Sequence, residues 1–323
     1  MTLKRNEHLS TADKQRLEQE RFAGFVADLR RRGRADKTVG SYRSDWLGLL
    51  EWHSGAGLGE FSIMTVEPNV VTDFVSILKK QGMKPATINR KIVFIKRYAG
   101  WACAMGLLSD EQADAITAIK PVAQGPRRPK SLSDMELKRF LREVEHRASP
   151  RDEAIIHVLL ATGMRVSELA ELDMSQLVMA ARKSIILIRN EKGHGQRLRK
   201  LSVSGTARRK LGQYLIQRGN RSGLVFLGER GPLTPNAIQR IVRKYCGFAK
   251  VTASPSILRH TFATQYLVEG GDIVALADIL GHESLETTRL YLQSVGGQQF
   301  NIDNVVFDGR PMMVTVPGHR RDD

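Results

Sequence analysis

Residues 121–131 limit the folding of this chain more than any other stretch, because Pro121, Pro126, Pro129 and Gly125 stop a helix from running through them. The same stretch carries Arg127, Arg128 and Lys130, so it reads as a basic linker able to lie against a polyanion. Directly after it, Ser133-Asp134-Met135-Glu136 has the form of a capping box, in which the serine and the glutamate satisfy each other's orphan N–H groups at a helix start. With 323 residues there is enough chain for a core on each side of the break. The expected organisation is a polar leader over 1–16, a first domain over 17–120, the linker over 121–131, a second domain over 132–295 and a tail over 296–323.

Hydrophobic spacing makes the first domain all-helical, with four or five helices. Residues 17–32 place Phe22, Phe25, Val26 and Leu29 on one face and end at Gly33. Val39, Tyr42, Trp46, Leu49 and Leu50 recur at helical spacing behind Asp36 or Thr38, either of which can cap. The pattern continues over 67–80 and 87–105. In the second domain, an apolar helix over 153–162 breaks at Gly163 and another begins at Val166. Residues 184–189 form a β-branched run, 192–196 a glycine-flanked turn, and 197–203 alternate as a returning strand. Further helical patterns cover 206–218, 235–248, 258–269, 272–280 and 285–293. The fold class expected is mostly α with a small antiparallel sheet, an all-helical domain followed by an α+β domain.

The chemistry-bearing residues come in short motifs. Arg165 lies in Ala161-Thr162-Gly163-Met164-Arg165-Val166-Ser167-Glu168-Leu169, and Arg259 in Leu258-Arg259-His260. Leu280-Gly281-His282 follows, and then Tyr291 after Glu283-Ser284-Leu285-Glu286-Thr287-Thr288-Arg289. Two guanidinium forks can hold the nonbridging oxygens of a phosphodiester, a histidine can donate to them, and a tyrosine hydroxyl can attack phosphorus. A phenol of pKa near 10 needs cationic neighbours that favour its phenolate, a task for the two arginines. Lys192, in Lys192-Gly193-His194-Gly195, stands where flanking glycines let a turn approach a nucleic-acid backbone closely.

Together these motifs resemble the tyrosine recombinase (phage integrase) family, over residues 17–295 and most specifically over 155–293. The arrangement Thr38-Val39-Gly40-Ser41-Tyr42 with Asp45 and Trp52 is similar to that family's helical core-binding domain. The resemblance implies that Tyr291 is the nucleophile, that Arg165, Arg259 and His282 hold the scissile phosphate, that Lys192 is the general acid for the leaving 5′ oxygen, and that Glu168 orients catalytic groups. It also implies a 3′-phosphotyrosyl intermediate, inverted-repeat core sites on double-stranded DNA, a homo-tetramer joining two sites and no cofactor or metal, with room for an accessory DNA-binding protein. A C-terminal segment that packs on a neighbouring protomer belongs to the same expectation for residues 296–323. One position departs from the family, since Ser256 stands where a histidine usually precedes the second arginine by three residues. Serine cannot take a proton near neutral pH, so that role falls to His260, His194 or solvent, and His260 reads first as a structural residue.

Charge agrees with a polyanionic partner. The formal net charge is +16, and a cut at Lys130 leaves 22 Lys+Arg against 14 Asp+Glu before it and 28 against 20 after it. Equal shares suit two domains that both touch one phosphate backbone, a clamp, with Arg90, Lys91, Lys96 and Arg97 as the first domain's candidate DNA contacts. The two cysteines, Cys103 and Cys246, lack metal-site spacing and read as buried small hydrophobes. No apolar run is long enough for a membrane span, and a cytoplasmic location is expected. The leading functional expectation is a site-specific recombinase that resolves transposon cointegrates or DNA dimers, favoured by the lack of an arm-binding domain before the helices. Integration or excision of a mobile element comes next, and a catalytically inactive DNA-binding accessory protein, suggested by Ser256, comes last. No Asp/Glu cluster stands near the motifs to support a two-metal nuclease. With roughly 6 to 10 phosphates neutralised per site, DNA affinity should fall by about 10³ to 10⁵ between about 50 and 200 mM salt. A filter-binding series across that range checks it, and a nearly flat dependence would remove the clamp.

Overall fold

A computed structural model describes residues 10–125, 129–181, 184–190, 197–203, 205–219, 221–229 and 231–292, together with the backbone of 306–307 and 310–311. The chain divides into two compact units, residues 1–126 and 127–323. It is mostly helical with small antiparallel sheets, as its periodicities demand.

The first unit contains five helices: α1 (Thr11–Arg31), α2 (Asp36–Gly55), α3 (Pro68–Lys80), α4 (Pro85–Ala104) and α5 (Asp110–Thr117). Helix α1 begins inside the stretch expected to be leader, because Ser10 accepts from the Asp13 N–H at 3.1 Å and so caps it. Neither Asp36 nor Thr38 caps α2; Ala35 precedes it and makes no side-chain cap. The core is aromatic, with Phe22 stacked on Trp46 at 4.2 Å between centroids and Phe25, Phe94 and Tyr98 packed around them. Glu18, buried in this core, accepts from the Tyr98 hydroxyl (2.8 Å) and the Ile63 N–H (3.1 Å), so one carboxylate ties α1 to α4 and to the loop before α3.

The basic residues of α4 have different fates. Lys91 is not a surface contact: it is buried, 3.2 Å from the Asp45 carboxylate on α2 and 5.9 Å from the Phe74 ring centroid. Arg90 also pairs with Asp45 but remains half exposed, and Arg97 is exposed. Lys96 donates to the Thr117 carbonyl at 2.6 Å and closes the C-terminus of α5. Lys130 is exposed, whereas Arg127 and Arg128 lie outside the described residues.

The second unit holds α6 (Asp134–Arg147), α7 (Pro150–Thr162), α8 (Val166–Ala170), β1 (Leu177–Val178), β2 (Ser184–Asn190), β3 (Arg197–Val203), α9 (Gly205–Arg218), β4 (Leu227–Gly228), β5 (Gly231–Pro232), α10 (Pro235–Ala249), α11 (Pro255–Val268), α12 (Ile273–Leu280) and α13 (Leu285–Leu292). The capping box at Ser133 and Glu136 forms as read from the sequence. Strands β1, β2 and β3 make an antiparallel sheet in which Ile186 faces Leu201 and Ile188 faces Arg199. A large core fills the space between α6, α7, α9, α10 and this sheet. A smaller one, made by Ala263, Leu267, Ile273, Leu276, Leu280 and Tyr291, joins α11, α12 and α13. Cys246 is buried, but Cys103 is only half buried, with its thiol 2.9 Å from Asp110. Among the described residues no helix is long and apolar enough to cross a membrane. The tail expected over 296–323 lies almost wholly outside the described residues, which include only the backbone pairing of Val306–Phe307 with Arg310–Pro311.

Because Lys91 is buried against Asp45, deleting that carboxylate leaves an uncompensated buried charge. Asp45→Ala should therefore destabilise the first unit by about 3–5 kcal/mol. All three tryptophans, Trp46, Trp52 and Trp101, lie in that unit, so denaturant unfolding followed by their fluorescence reads it selectively. An unchanged midpoint would return Lys91 to the set of surface contacts.

Candidate active site

Arg165, Arg259, His260, His282 and Tyr291 converge within the second unit, on helix ends. The carbonyls that close α7 and α12 lack intrahelical partners and carry partial negative charge. Arg259, on the second turn of α11 and 8% exposed, donates from Nη1 to the Gly163 carbonyl and from Nη2 to the Leu280 carbonyl, each at 2.7 Å. Arg165, at the N-cap of α8, donates from Nη2 to the Gly281 carbonyl at 3.0 Å. Glu168 accepts from the Arg165 backbone N–H (2.7 Å) and from its Nη1 (3.0 Å). Burial pushes the Glu168 carboxyl up, but Arg199 and Arg165 outweigh it and hold the group below its usual range.

Both motif glycines are required by the turns they occupy. Gly163 (φ +59°) and Gly281 (φ +63°) end α7 and α12 in the left-handed region. A Cβ on Gly163 would stand 2.4 Å from the Phe262 ring, and one on Gly281 would stand 2.1 Å from the Arg199 guanidinium.

Tyr291 is 3% exposed, its ring in the small core and its hydroxyl 2.7 Å from His260 Nδ1. Arg259 and His260 are consecutive, about 100° apart around α11, so one reaches the helix ends and the other reaches α13. Burial and, secondarily, Arg259 lower the His260 pKa, which leaves the ring neutral at pH 7. A neutral ring that accepts the phenol proton at Nδ1 carries its own proton on Nε2.

The tyrosine itself departs from expectation. Burial raises its pKa by more than Arg259 and Arg165 lower it, so without DNA the hydroxyl stays protonated. Burial together with the nearby arginines pushes His282 down to about 4. Its Nε2 lies 3.1 Å from Arg259 Nη2, which can only donate, and its Nδ1 lies 2.7 Å from Thr288 Oγ1. That assignment puts the proton on Nδ1 and makes Nε2 an acceptor, the reverse of the donor role expected toward phosphate. Arg259 falls to about 10, mainly through burial and then through Arg165.

Ser256 is exposed on the first turn of α11, and its side chain makes no hydrogen bond among the described residues. Lys192 and His194 lie outside the described residues. Sequence reasoning missed two members of the cluster. Thr288, fully buried one turn before Tyr291, fixes the His282 ring. Arg199, on β3, stands 2.9 Å from Glu168. Arg199 had a signal: the alternation that buries Leu201 and Val203 puts it on the same strand face.

Comparison with known proteins agrees with this geometry. Residues 130–296 match the phage integrase family and residues 22–106 its N-terminal SAM-like domain. A tyrosine recombinase XerC from Corynebacterium efficiens is 32% identical over 270 residues, 80% of this chain and 81% of its own length. A tyrosine recombinase XerD from Rhizobium meliloti is 30% identical over 275 residues, 80% of this chain and 86% of its own. In fold, the chain is similar to XerH recombinase bound to palindromic difH substrate after cleavage, with a TM-score of 0.67 and 22% identity over 80% of this chain and 76% of that one. It is also similar to a lambda integrase dimer bound to a COC' core site, with a TM-score of 0.68 and 16% identity over 87% and 96%. With the family matched over both units and a relative above 30% identity along most of both chains, this chain belongs to the phage integrase family, the tyrosine recombinases, which are site-specific DNA strand transferases.

Proposed function

We propose that this chain cuts and rejoins DNA at a core site with Tyr291 as the nucleophile and His260 as its proton acceptor, in place of the histidine that Ser256 replaces. The observation that carries this reading is the 2.7 Å approach of His260 Nδ1 to the Tyr291 hydroxyl beside Arg165 and Arg259. The scissile phosphate binds the two guanidiniums, whose fork suits the charge that grows on its nonbridging oxygens. Its negative charge offsets the cationic field that, after burial, depresses His260 and His282. His260 then gains basicity as Tyr291 loses its proton, and His282 becomes able to donate to the phosphate. Attack by Oη on phosphorus forms the 3′-phosphotyrosyl bond as the 5′ oxygen leaves, with Lys192 as the donor of its proton. The ester is conserved in the covalent bond, so return attack by a 5′ hydroxyl needs no energy source.

The proposed substrate is double-stranded DNA with inverted repeats around a short spacer, joined two sites at a time by four protomers in the cytoplasm. A protein of the same fold bound to a palindromic substrate supports this reading. Resolution of cointegrates or dimers is the proposed outcome, supported by similarity to XerC and XerD recombinases on both sides of the linker. In the first unit Arg90, Lys96 and Arg97 are the proposed backbone contacts, with Lys130 and, outside the described residues, Arg127 and Arg128.

On a nicked suicide substrate, wild-type protein should form a covalent adduct that Tyr291→Phe cannot form although it binds the DNA equally well. Adduct with the phenylalanine variant would point to another nucleophile. His260→Ala should slow adduct formation by about 10² to 10⁴ at unchanged DNA affinity, the usual contribution of a positioned base. A rate within about threefold of wild type would return the proton to solvent. In DNA-free protein the neutral forms of both histidines are favoured, so their ring NMR signals should titrate below the ordinary 6.5, with His282 near 4. A His260 midpoint at or above 6.5 would contradict the resting state described here.

A further inference from the structure

Arg199 interrupts a buried strand face. On β3, Leu201 and Val203 point into the core, and two residues earlier on the same face a guanidinium stands 5% exposed opposite Ile188. Burying a charge there is costly, so its surroundings should show what it does. Nη2 faces Glu168 Oε1 at 2.9 Å as an ion pair. Nε and Nη1 are buried with no hydrogen-bond partner among the described residues. The guanidinium lies against Gly281, where no side chain could fit. Glu168 Oε1 is thus shared between Arg199 and Arg165 Nη1, and the turn that Arg199 backs presents the Gly281 carbonyl to Arg165 and the Leu280 carbonyl to Arg259.

We infer that Arg199 is a positioning residue for strand cleavage: it takes up the charge of Glu168, so that Arg165 is held by the carboxylate without being neutralised by it, and it supports the Gly281 turn. Among these three guanidiniums and one carboxylate, the surplus positive charge is then left at Arg165 and Arg259, where the phosphate binds. This inference rests on the proposed cleavage by Tyr291.

Because it acts through Glu168, Arg199 predicts a specific epistasis. Arg199→Leu restores the apolar alternation of β3 and leaves Glu168 paired with Arg165, so no buried charge loses its last partner and the melting temperature should hold or rise. DNA affinity should hold within about twofold, being set by many phosphates. Single-turnover adduct formation at saturating suicide substrate should fall about 10- to 100-fold, because Glu168 then pairs with Arg165 alone. Adding Glu168→Gln, which keeps an oxygen for the Arg165 N–H but removes the charge, should recover much of that loss. Arg199→Lys should retain most of the rate and serves as the second variant if the leucine protein folds poorly. A rate for Arg199→Leu within about twofold of wild type overturns the inference. So does a double variant no faster than Arg199→Leu, or a rate loss that tracks a fall in melting temperature and is not spared by lysine. Wild-type protein forming no adduct overturns the Tyr291 reading and this one together; wild-type adduct with a normal Arg199→Leu rate overturns this one alone.

Discussion

The candidate site depends on one buried cation at the ends of two helices. Arg259 satisfies carbonyls that α7 and α12 leave without partners, and those carbonyls in turn fix the direction of its guanidinium. A single side chain on α11 thereby joins three helices. Its contact with His282, and that of His282 with Thr288, extend the connection to α13, the helix that carries Tyr291. Glycine is needed at both turns, because each must be left-handed and each is filled from behind, by Phe262 at Gly163 and by Arg199 at Gly281.

Without DNA the site is electrically unfinished. Glu168 pairs with Arg165 and Arg199 near Arg259, and burial first, then the arginines, keeps the histidines neutral. Burial keeps the Tyr291 hydroxyl protonated despite the arginines. An arriving phosphate would offset the part of the histidine shifts that the arginines cause, while the larger part, due to burial, stays. In the proposed mechanism Tyr291 therefore keeps its proton in a small apolar core until His260 takes it.

Much of this site was legible in the sequence because motif residues sit at forced positions. Gly163 and Gly281 marked helix ends, Arg165 and His282 followed them closely, and the pattern of residues 285–293 gave a helix ending near Tyr291. The fate of α4's basic residues was not legible. Lys91 and Arg90 are neighbours with the same charge, and only the position of Asp45 on another helix draws one of them inside.

The sequence by itself determined the helical and strand periods, the capping box at Ser133, the inventory of phosphate-handling side chains and their order, since all of these depend on neighbours along the chain. Only the tertiary structure decided which groups meet. Periodicity assigns His260 to a face of α11 but does not say that Tyr291 lies across from it, and it assigns Arg199 to the inner face of β3 but does not supply Glu168. Those partners are 31 residues away along the chain in both cases, and no local rule spans such a distance. Protonation was settled there as well, because a pKa depends on burial and on charges from separate elements, which exist only once the helices have packed.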